Sequence, residues 1–467
     1  MEAKEYDVIV IGAGPGGYTA AIRTAQKGKK TALIEEKQLG GVCLNTGCIP
    51  TKALVAGADH FRKIKHSRRY GITAHLASFD FAEMTGRKDQ IVSDMRSSLT
   101  GLIAKNQIEV VRGRAQFVAP KELKVLGEDA GFLRAEKIIV ATGSIPTDIP
   151  AFPCDHKHIL NSDSALQLTE LPSSMIIIGG GYIGCEFASM YREVGVEVTI
   201  IEAMDRLLPG LPMNVAESLQ SYFAREKMEL LCSTRVEKIS PEGNDVVVYL
   251  RGGRSLQADR ALIAVGRSVL SKGLGLEKVG VTTGKKGEIL VDEQMRTNVP
   301  GIYAIGDVTG KAMLAHVASH QAIVAAEHIC GSFQKMHYDV IPAVVYTHPE
   351  IGVVGLSKEE AEQKGYDVIT GKYPYAALGK AAAISETYGF AEIVAEKKTG
   401  AILGGQSIGY DSANLIAEIA LAMQQELTLE SLVETIHAHP SFAEVWMEAA
   451  ALAQGFPLNF PPPLRRL

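Results

Sequence analysis

Apolar residues along the chain gather in short runs that stop on or just before glycine, separated by longer stretches of mixed character. Val8-Ile9-Val10-Ile11 runs into Gly12, and Met175-Ile176-Ile177-Ile178 runs into Gly179. Three more runs, at 138–141, 261–264 and 302–305, lead into Gly143, Gly266 and Gly306. Short runs, apolar at every position and rich in Val and Ile, predict strands buried on both faces. Stretches 18–27, 51–64, 185–194, 312–329, 414–425 and 428–435 predict helices. Strands alternating with helices imply an α/β chain with parallel sheets. From 344–347 onward β-rich segments alternate with helices, and the tail around 460–463 is irregular.

Two segments repeat one plan. In the first, the strand 8–11 enters GAGPGG, with Gly12, Gly14 and Gly17, followed by a helix and the strand 31–34 ending at Glu35. In the second, 175–178 enters GGGYIG, with Gly179, Gly181 and Gly184, followed by a helix and the strand 198–201 ending at Glu202. The copies lie 167 residues apart (12 to 179), and each acid falls 18 residues after the third glycine (17 to 35, 184 to 202). A bare GxGxxG is weak evidence, since glycine-rich turns are common. Strand, glycines, helix, strand and terminal acid in order is the dinucleotide fingerprint. Its glycines let backbone amides approach a pyrophosphate at the positive end of a helix, and the acid accepts from ribose hydroxyls. A doubly wound turn without a nucleotide is the alternative for each copy. Two such sites suggest a flavin and a nicotinamide cofactor exchanging a hydride. Glu202 would repel a 2′-phosphate and so favours NAD over NADP. Asp307, between a strand and a helical stretch, either binds a flavin hydroxyl or simply starts that helix. Boundaries are expected near 1–147, 148–272, 273–345 and 346–467, the third segment returning to the first unit.

Composition narrows the function. The chain has 467 residues, with 48 Lys and Arg against 53 Asp and Glu, a net charge of −5. That length suggests about three domains, and the charge argues against a nucleic-acid binder. No stretch free of Asp, Glu, Lys and Arg reaches the length of a spanning helix, so no membrane is expected. A strand begins almost at once, from Tyr6, which leaves no targeting segment and points to a cytoplasmic location. Six cysteines in so long a chain do not make a disulfide scaffold, and a close pair in a reducing cytoplasm is more often catalytic.

That pair is Cys43 and Cys48, in GGVCLNTGCIPTK. Four intervening residues do not suit metal ligation, and no second pair completes a zinc site, so no metal is expected. A redox disulfide fits better, with two buried inert thiols as the alternative. Pro50 can occupy the first turn of a helix. Cys48 would then sit at the helix N-terminus, where the dipole favours thiolate. Cys43 would meet an outside thiol. Cys154, Cys185, Cys232 and Cys330 have no nearby Cys and are expected in the core. Near the C-terminus, HAHPSFAE places His439 five residues before Glu444, an imidazole that a carboxylate could orient for proton transfer. On its own such a pair is commonly a surface contact.

GGVCLNTGCIPTK, the two glycine fingerprints, ATGS and IGD together resemble the pyridine nucleotide–disulfide oxidoreductases over essentially the whole chain. The resemblance implies two Rossmann-like dinucleotide-binding domains, for FAD and NAD, a central domain completing the FAD site, and a C-terminal α+β dimerisation domain. It implies a Cys43–Cys48 disulfide beside the flavin, opposite the nicotinamide. It pairs Lys52 with Glu186 near the flavin nitrogen that accepts hydride. It places Ala115, Ser144, Asp307, Met313, Leu314, Ala315 and His316 at the FAD site, and Gly266 by the NAD.

The closing HAHPSFAE is most similar to the branch that oxidises dihydrolipoamide. There His439 maps to the base and Glu444 to its partner, both reaching the disulfide of the other subunit of a homodimer. His437 is expected to support the motif, and His348, in THPE, to be a decoy with similar letters. The substrate implied is dihydrolipoamide carried on a lipoyl domain of a 2-oxoacid dehydrogenase or glycine cleavage complex. Ser441, Phe442 and Ala443 depart from the Thr-Leu-Ser most common there. Tyr182 resembles the gating tyrosine of glutathione reductases, so an NADPH-dependent glutathione-type reductase is the rival enzyme. Gly184 and Glu202 oppose it. A flavin-binding docking component is the rival of another class, and neither the cysteine pair nor the His–Glu pair would be needed for it.

Overall fold

The computed structural model describes residues 3–75 and 78–461. Lys4–Ile11 lies at the centre of a parallel layer, with Thr31–Glu35 on one edge and Gly131–Val140 on the other. Glu109–Arg112 extends the first side and Ile302–Ala304 the second, both parallel. The continuous apolar run follows from cover on both faces. Val8 and Val10 pack with Ala20, Ala21, Val317 and Val324 of two helices, Pro15–Gln26 and Ala315–Ile329. Ile9 and Ile11 pack on the other side with Phe117, Leu274 and Ile289.

Gly131–Val140 is long enough to serve two partners along one edge. One edge pairs with Lys4–Ile11 from Leu133 onward, while the other edge pairs antiparallel with Glu122–Leu126 in its first half and parallel with Ile302–Ala304 in its last; Glu122–Leu126 pairs in turn with Arg114–Ala119.

The plan recurs. Ser174–Ile178 is flanked by Glu197–Ile201 and Arg260–Ile263, with Glu229–Leu231 and Ile159–Asn161 outside them, all parallel. An antiparallel meander of Val236–Glu242, Asp245–Leu250 and Ser255–Ala258 covers one face of this sheet. Chain enters and leaves the second sheet through a two-stranded antiparallel ribbon, Ser144–Pro146 against Arg267–Val269.

The remainder is a five-stranded antiparallel sheet in the order Ala343–Val345, Glu350–Gly355, Ile402–Gly409, Phe390–Glu396 and Val368–Pro374. Ser412–Gln424 and Glu444–Ala453 are its main helices. The single tryptophan, Trp446, is fully buried and its indole N–H donates to the Leu415 carbonyl at 2.9 Å, tying those two helices together.

The expected strands and parallel sheets are present. Both fingerprint helices start earlier than expected, at Pro15 and Tyr182, because Gly14 and Gly181 are themselves the N-cap residues. The helix expected at 312–329 starts later, at Ala315. The longest helix, Phe81–Lys105, has no counterpart among the expected elements. Its core-facing positions include Thr85 and Lys88, which break the apolar stripe. Lys88 is buried yet satisfied, its ammonium donating to the Leu166 carbonyl at 2.7 Å.

Candidate functional site

The two glycine turns are built alike. A Cβ on Gly17 would stand 1.7 Å from the Gly12 carbonyl oxygen, and one on Gly184 would stand 1.9 Å from that of Gly179. These third glycines let each helix press onto its strand. The second glycines differ: a Cβ on Gly14 would meet only the Gly41 Cα, at 3.9 Å, and one on Gly181 would meet nothing within 4 Å. The terminal acids are likewise equivalent. Glu35 accepts from the backbone N–H groups of Ala13 and Lys37, each at 2.8 Å. Glu202 accepts from those of Gly180 at 2.6 Å and Met204 at 2.7 Å. Each carboxylate is thus aimed by backbone at its own turn, with lone pairs left over for a ligand.

Both turns open into one continuous cleft of about 1700 Å³. Gly12, Gly14 and Glu35 line it on one side, and Gly179, Gly181, Tyr182, Glu202 and Gly266 on the other. Cys43, Cys48, Lys52 and Glu186 lie along it, as do Ser144, Asp307 and the run Met313, Leu314, Ala315 and His316. Gly17 and Gly184 sit behind their turns, outside the lining. Ala115 is not brought to the cleft: on Arg114–Ala119 its side chain is buried in the core beside Phe117.

Asp307 lies in a single 3-10 turn, Gly306–Thr309, and the long helix begins only at Ala315, capped at Leu314. It therefore does not start that helix. One of its oxygens accepts from the Ser144 hydroxyl, and that hydroxyl accepts from Arg267 Nε at 2.7 Å. Behind the turn, the Gly306 N–H donates to the side-chain oxygen Oε1 of fully buried Gln321 at 2.6 Å.

The cysteines occupy consecutive short segments. Cys43 is within Gly41–Thr46, and Cys48 is the first residue of Cys48–Lys65, with Pro50 in its first turn. The Asn45 amide donates to the carbonyls of Leu39 and Gly41, at 3.0 and 2.8 Å, and shapes the bend between them. The sulfurs are adjacent and unequal. The hydrogen bond between them holds Cys48 below the ordinary thiol range and pushes Cys43 well above it, with burial adding to the rise of Cys43. The Lys52 ammonium, on the same helix as Cys48, favours its thiolate further.

Lys52 is held in turn by Glu186, Nζ to Oε2 at 2.6 Å, and lies 4.5 Å from the Tyr346 ring centroid. The other oxygen of Glu186 accepts from the Tyr346 N–H at 3.0 Å. Three parts of the fold thus meet at one carboxylate. Tyr346 was not expected there, and no sequence spacing connects it to Lys52 or Glu186.

His439 and Glu444 do not line the cleft. His439 Nδ1 is 2.8 Å from Glu444 Oε1, and its side chain is 77% exposed. The Ser441 N–H donates to Glu444 Oε2 at 2.8 Å. Burial would raise the Glu444 carboxyl, but that N–H and His439 outweigh it and hold the group below the usual range. With Nδ1 tied to the acid, Nε2 is the nitrogen free for an outside proton. His437 pairs with Glu418 instead, at 2.7 Å. His348 is a core residue: burial pushes its imidazole down to about 3, and its backbone N–H donates to Ser189 Oγ at 2.8 Å.

Among the described residues no helix is long and apolar enough to cross a membrane, and no group of three or more His, Cys, Asp and Glu could hold a metal ion.

Residues 6–322 match the pyridine nucleotide-disulphide oxidoreductase family, and residues 341–450 match the dimerisation domain of the same family. The dihydrolipoyl dehydrogenase of Chlamydia pneumoniae is 46% identical over 459 residues, covering 98% of this chain and 99% of that one. That of Geobacillus stearothermophilus is 40% identical over 461 residues, covering 98% of each. Among solved structures, LpdA from Mycobacterium tuberculosis superposes with a TM-score of 0.90 at 28% identity, covering 95% of this chain and 99% of that one. The HOCl-induced flavoprotein disulfide reductase RclA from Escherichia coli, as its Cu(II) complex, gives 0.88 at 30% identity, covering 97% and 100%.

Proposed function

The chain belongs to the pyridine nucleotide-disulphide oxidoreductases, and we propose that it acts as a dihydrolipoyl dehydrogenase, moving two electrons from a dihydrolipoyl group through a cysteine pair and FAD to NAD. One observation carries this reading: a single cleft joins two dinucleotide turns to an adjacent, electrostatically unequal cysteine pair, in a chain that also carries an exposed His–Glu pair.

The residues fit both cofactors. Side chains are missing at Gly14 and Gly181, where a Cβ would enter space that a pyrophosphate needs. Glu35 and Asp307 are ready to accept hydroxyl hydrogens of FAD, and Glu202 those of the NAD ribose, while its charge opposes a 2′-phosphate. Ser144, Lys52 and 313–316 complete the flavin's surroundings, and Tyr182 and Gly266 those of the nicotinamide cofactor. Ala115, buried in the core and absent from the cleft lining, is left out of the FAD site. The flavin supplies two-electron transfer between a dithiol and a nicotinamide.

The chain's own groups perform the thiol chemistry. His439 of the partner subunit takes a proton at Nε2 from one dihydrolipoyl thiol, and Glu444 stabilises the imidazolium. The substrate thiolate attacks Cys43 of an oxidised Cys43–Cys48 pair, and the electron pair of the broken S–S bond leaves on Cys48. Cys48 is the better leaving group because the helix terminus and Lys52 favour its thiolate. The second substrate thiol then displaces Cys43, releasing cyclic lipoamide and the reduced pair. Lys52, fixed by Glu186, keeps a positive charge beside the reacting centre.

We divide the chain accordingly into FAD (1–147), NAD (148–272), central (273–345) and dimerisation (346–467) parts. The ribbon at 144–146 and 267–269 and the second match at 341–450 support this division. Dihydrolipoamide on a lipoyl domain of a multienzyme complex is the substrate partner proposed, in a reducing cytoplasm that suits four lone cysteines. Tyr182, 38% exposed in the cleft, is the feature that favours a glutathione-type reductase, and Glu202 and Gly184 oppose it.

His439→Ala separates the thiol step from the nicotinamide step. Dihydrolipoamide turnover is expected to fall by about 10²–10⁴-fold, with NADH-dependent dye reduction largely kept. Equal loss of both would remove His439 as the base.

A further inference from the structure

The Arg267 side chain spans the two dinucleotide halves and, among the described residues, forms no ion pair. It lies on the return strand of the ribbon, Arg267–Val269, which leads out of the second sheet. Its Nε donates to Ser144 Oγ at 2.7 Å and its Nη2 to the Ser144 carbonyl at 2.8 Å. A guanidinium can only donate. The Ser144 hydroxyl has one hydrogen, so while it accepts from Arg267 that hydrogen must go to its remaining partner, Asp307 Oδ2. The direction of the chain is therefore fixed from Arg267 to Ser144 to Asp307. With Arg267 in place Ser144 is only 2% exposed, so its hydroxyl is satisfied by these protein partners.

The consequence falls on the flavin side. With Oδ2 engaged, Asp307 keeps its other oxygen for a ligand hydroxyl. Gln321 fixes the same turn from behind through the Gly306 N–H. The ribbon is braced on both sides of the relay: the Thr147 N–H donates to the Gly266 carbonyl at 3.0 Å, and the Leu270 N–H to the Gly143 carbonyl at 2.9 Å. Gly266, the neighbour of Arg267, lines the second half of the cleft, and Asp307 lines the first.

We propose that Arg267 is a positioning residue of the flavin site: from the NAD half it orients the Ser144 hydroxyl, and through it Asp307, so that the second half sets the hydrogen-bonding state of the first. This rests on the assignment of the cleft to FAD and NAD. It adds a residue of the cleft lining that acts through Ser144 and Asp307 and whose loss is felt at the flavin.

Arg267→Met, Arg267→Lys, Ser144→Ala and the double variant R267M/S144A, each as the full chain, test it. FAD release after dilution, followed by flavin fluorescence, and the flavin midpoint potential are the readouts. Trp446 emission reports the fold of the C-terminal sheet independently. Arg267→Met should release FAD about tenfold faster or more and shift the potential, with the Trp446 unfolding transition unmoved. Ser144→Ala should do the same, the double variant no more than either single one, and Arg267→Lys should recover part of the loss. Wild-type release and potential in Arg267→Met would overturn the proposal, as would additive effects of the two substitutions. If Arg267→Met does not fold, Ser144→Ala decides: an unchanged potential and release rate refute the relay. A wild-type chain that neither carries nor takes up FAD would instead remove the cofactor assignment beneath it.

Discussion

Side chains five residues apart, Cys43 and Cys48, are made chemically different by what surrounds each sulfur. Cys48 gains from the neighbouring thiol, the Lys52 ammonium and its helix terminus, while Cys43 has burial and the forming thiolate against it. In the reduced protein the Cys48 thiolate should therefore persist as pH falls below the ordinary thiol range of about 8.5, read as ultraviolet thiolate absorbance. Cys43→Ala removes the largest favourable cause and should move that titration up; an unmoved midpoint would contradict the assignment. Residues of this kind were legible in the sequence because their chemistry lives at short spacing: C-x4-C, GxGxxG with an acid, His with a Glu five residues on. The Arg267–Ser144 and Ser144–Asp307 bonds span 123 and 163 residues, and the Tyr346–Glu186 bond spans 160. No spacing rule reaches that far, so these contacts became visible only in three dimensions.

Elements were legible where both faces of a strand are covered, since burial on both sides writes an unbroken apolar run. They were not where a buried polar group interrupts the pattern, as Lys88 does in Phe81–Lys105. Each fingerprint helix starts earlier than its sequence suggests for a related reason: glycines that allow close approach hide helical backbone behind low propensity. The glycines within one turn should also respond differently to alanine. Gly14→Ala has room in the protein and should keep the fold while losing flavin, because its Cβ enters the cleft. Gly17→Ala, with its Cβ 1.7 Å from a carbonyl oxygen, should lower stability by about 1–3 kcal/mol or more. Gly184→Ala meets a contact of 1.9 Å with the Gly179 carbonyl oxygen and should lower stability as Gly17→Ala does. Flavin content and thermal unfolding of the three variants check this, and equal behaviour of Gly14→Ala and Gly17→Ala would contradict it.

At the scale of the whole molecule, the chain assembles two dinucleotide turns and the cysteine pair in one cleft but leaves His439 elsewhere, 77% exposed. On the proposed function, a single chain is half of a catalytic unit. Subunits carrying Cys43→Ser and subunits carrying His439→Ala should each be inactive alone. After random reassortment half the dimers are mixed, each with one intact site, so about a quarter of wild-type turnover should return; no recovery would mean that the imidazole serves its own chain. Repetition of the βαβ plan, family and dimeric organisation were all legible in the sequence, whereas the ribbon and its relay were not. The claim at the centre is the substrate pair. Anaerobic reduction of NAD by dihydrolipoamide, run beside NADPH oxidation by glutathione disulfide with the same purified yellow protein, tests it most directly. Rapid NADH formation with the glutathione reaction silent is the predicted result. NADPH-dependent reduction of glutathione disulfide with the dihydrolipoamide reaction silent would contradict it, and would make Tyr182 a better guide than Glu202 and His439.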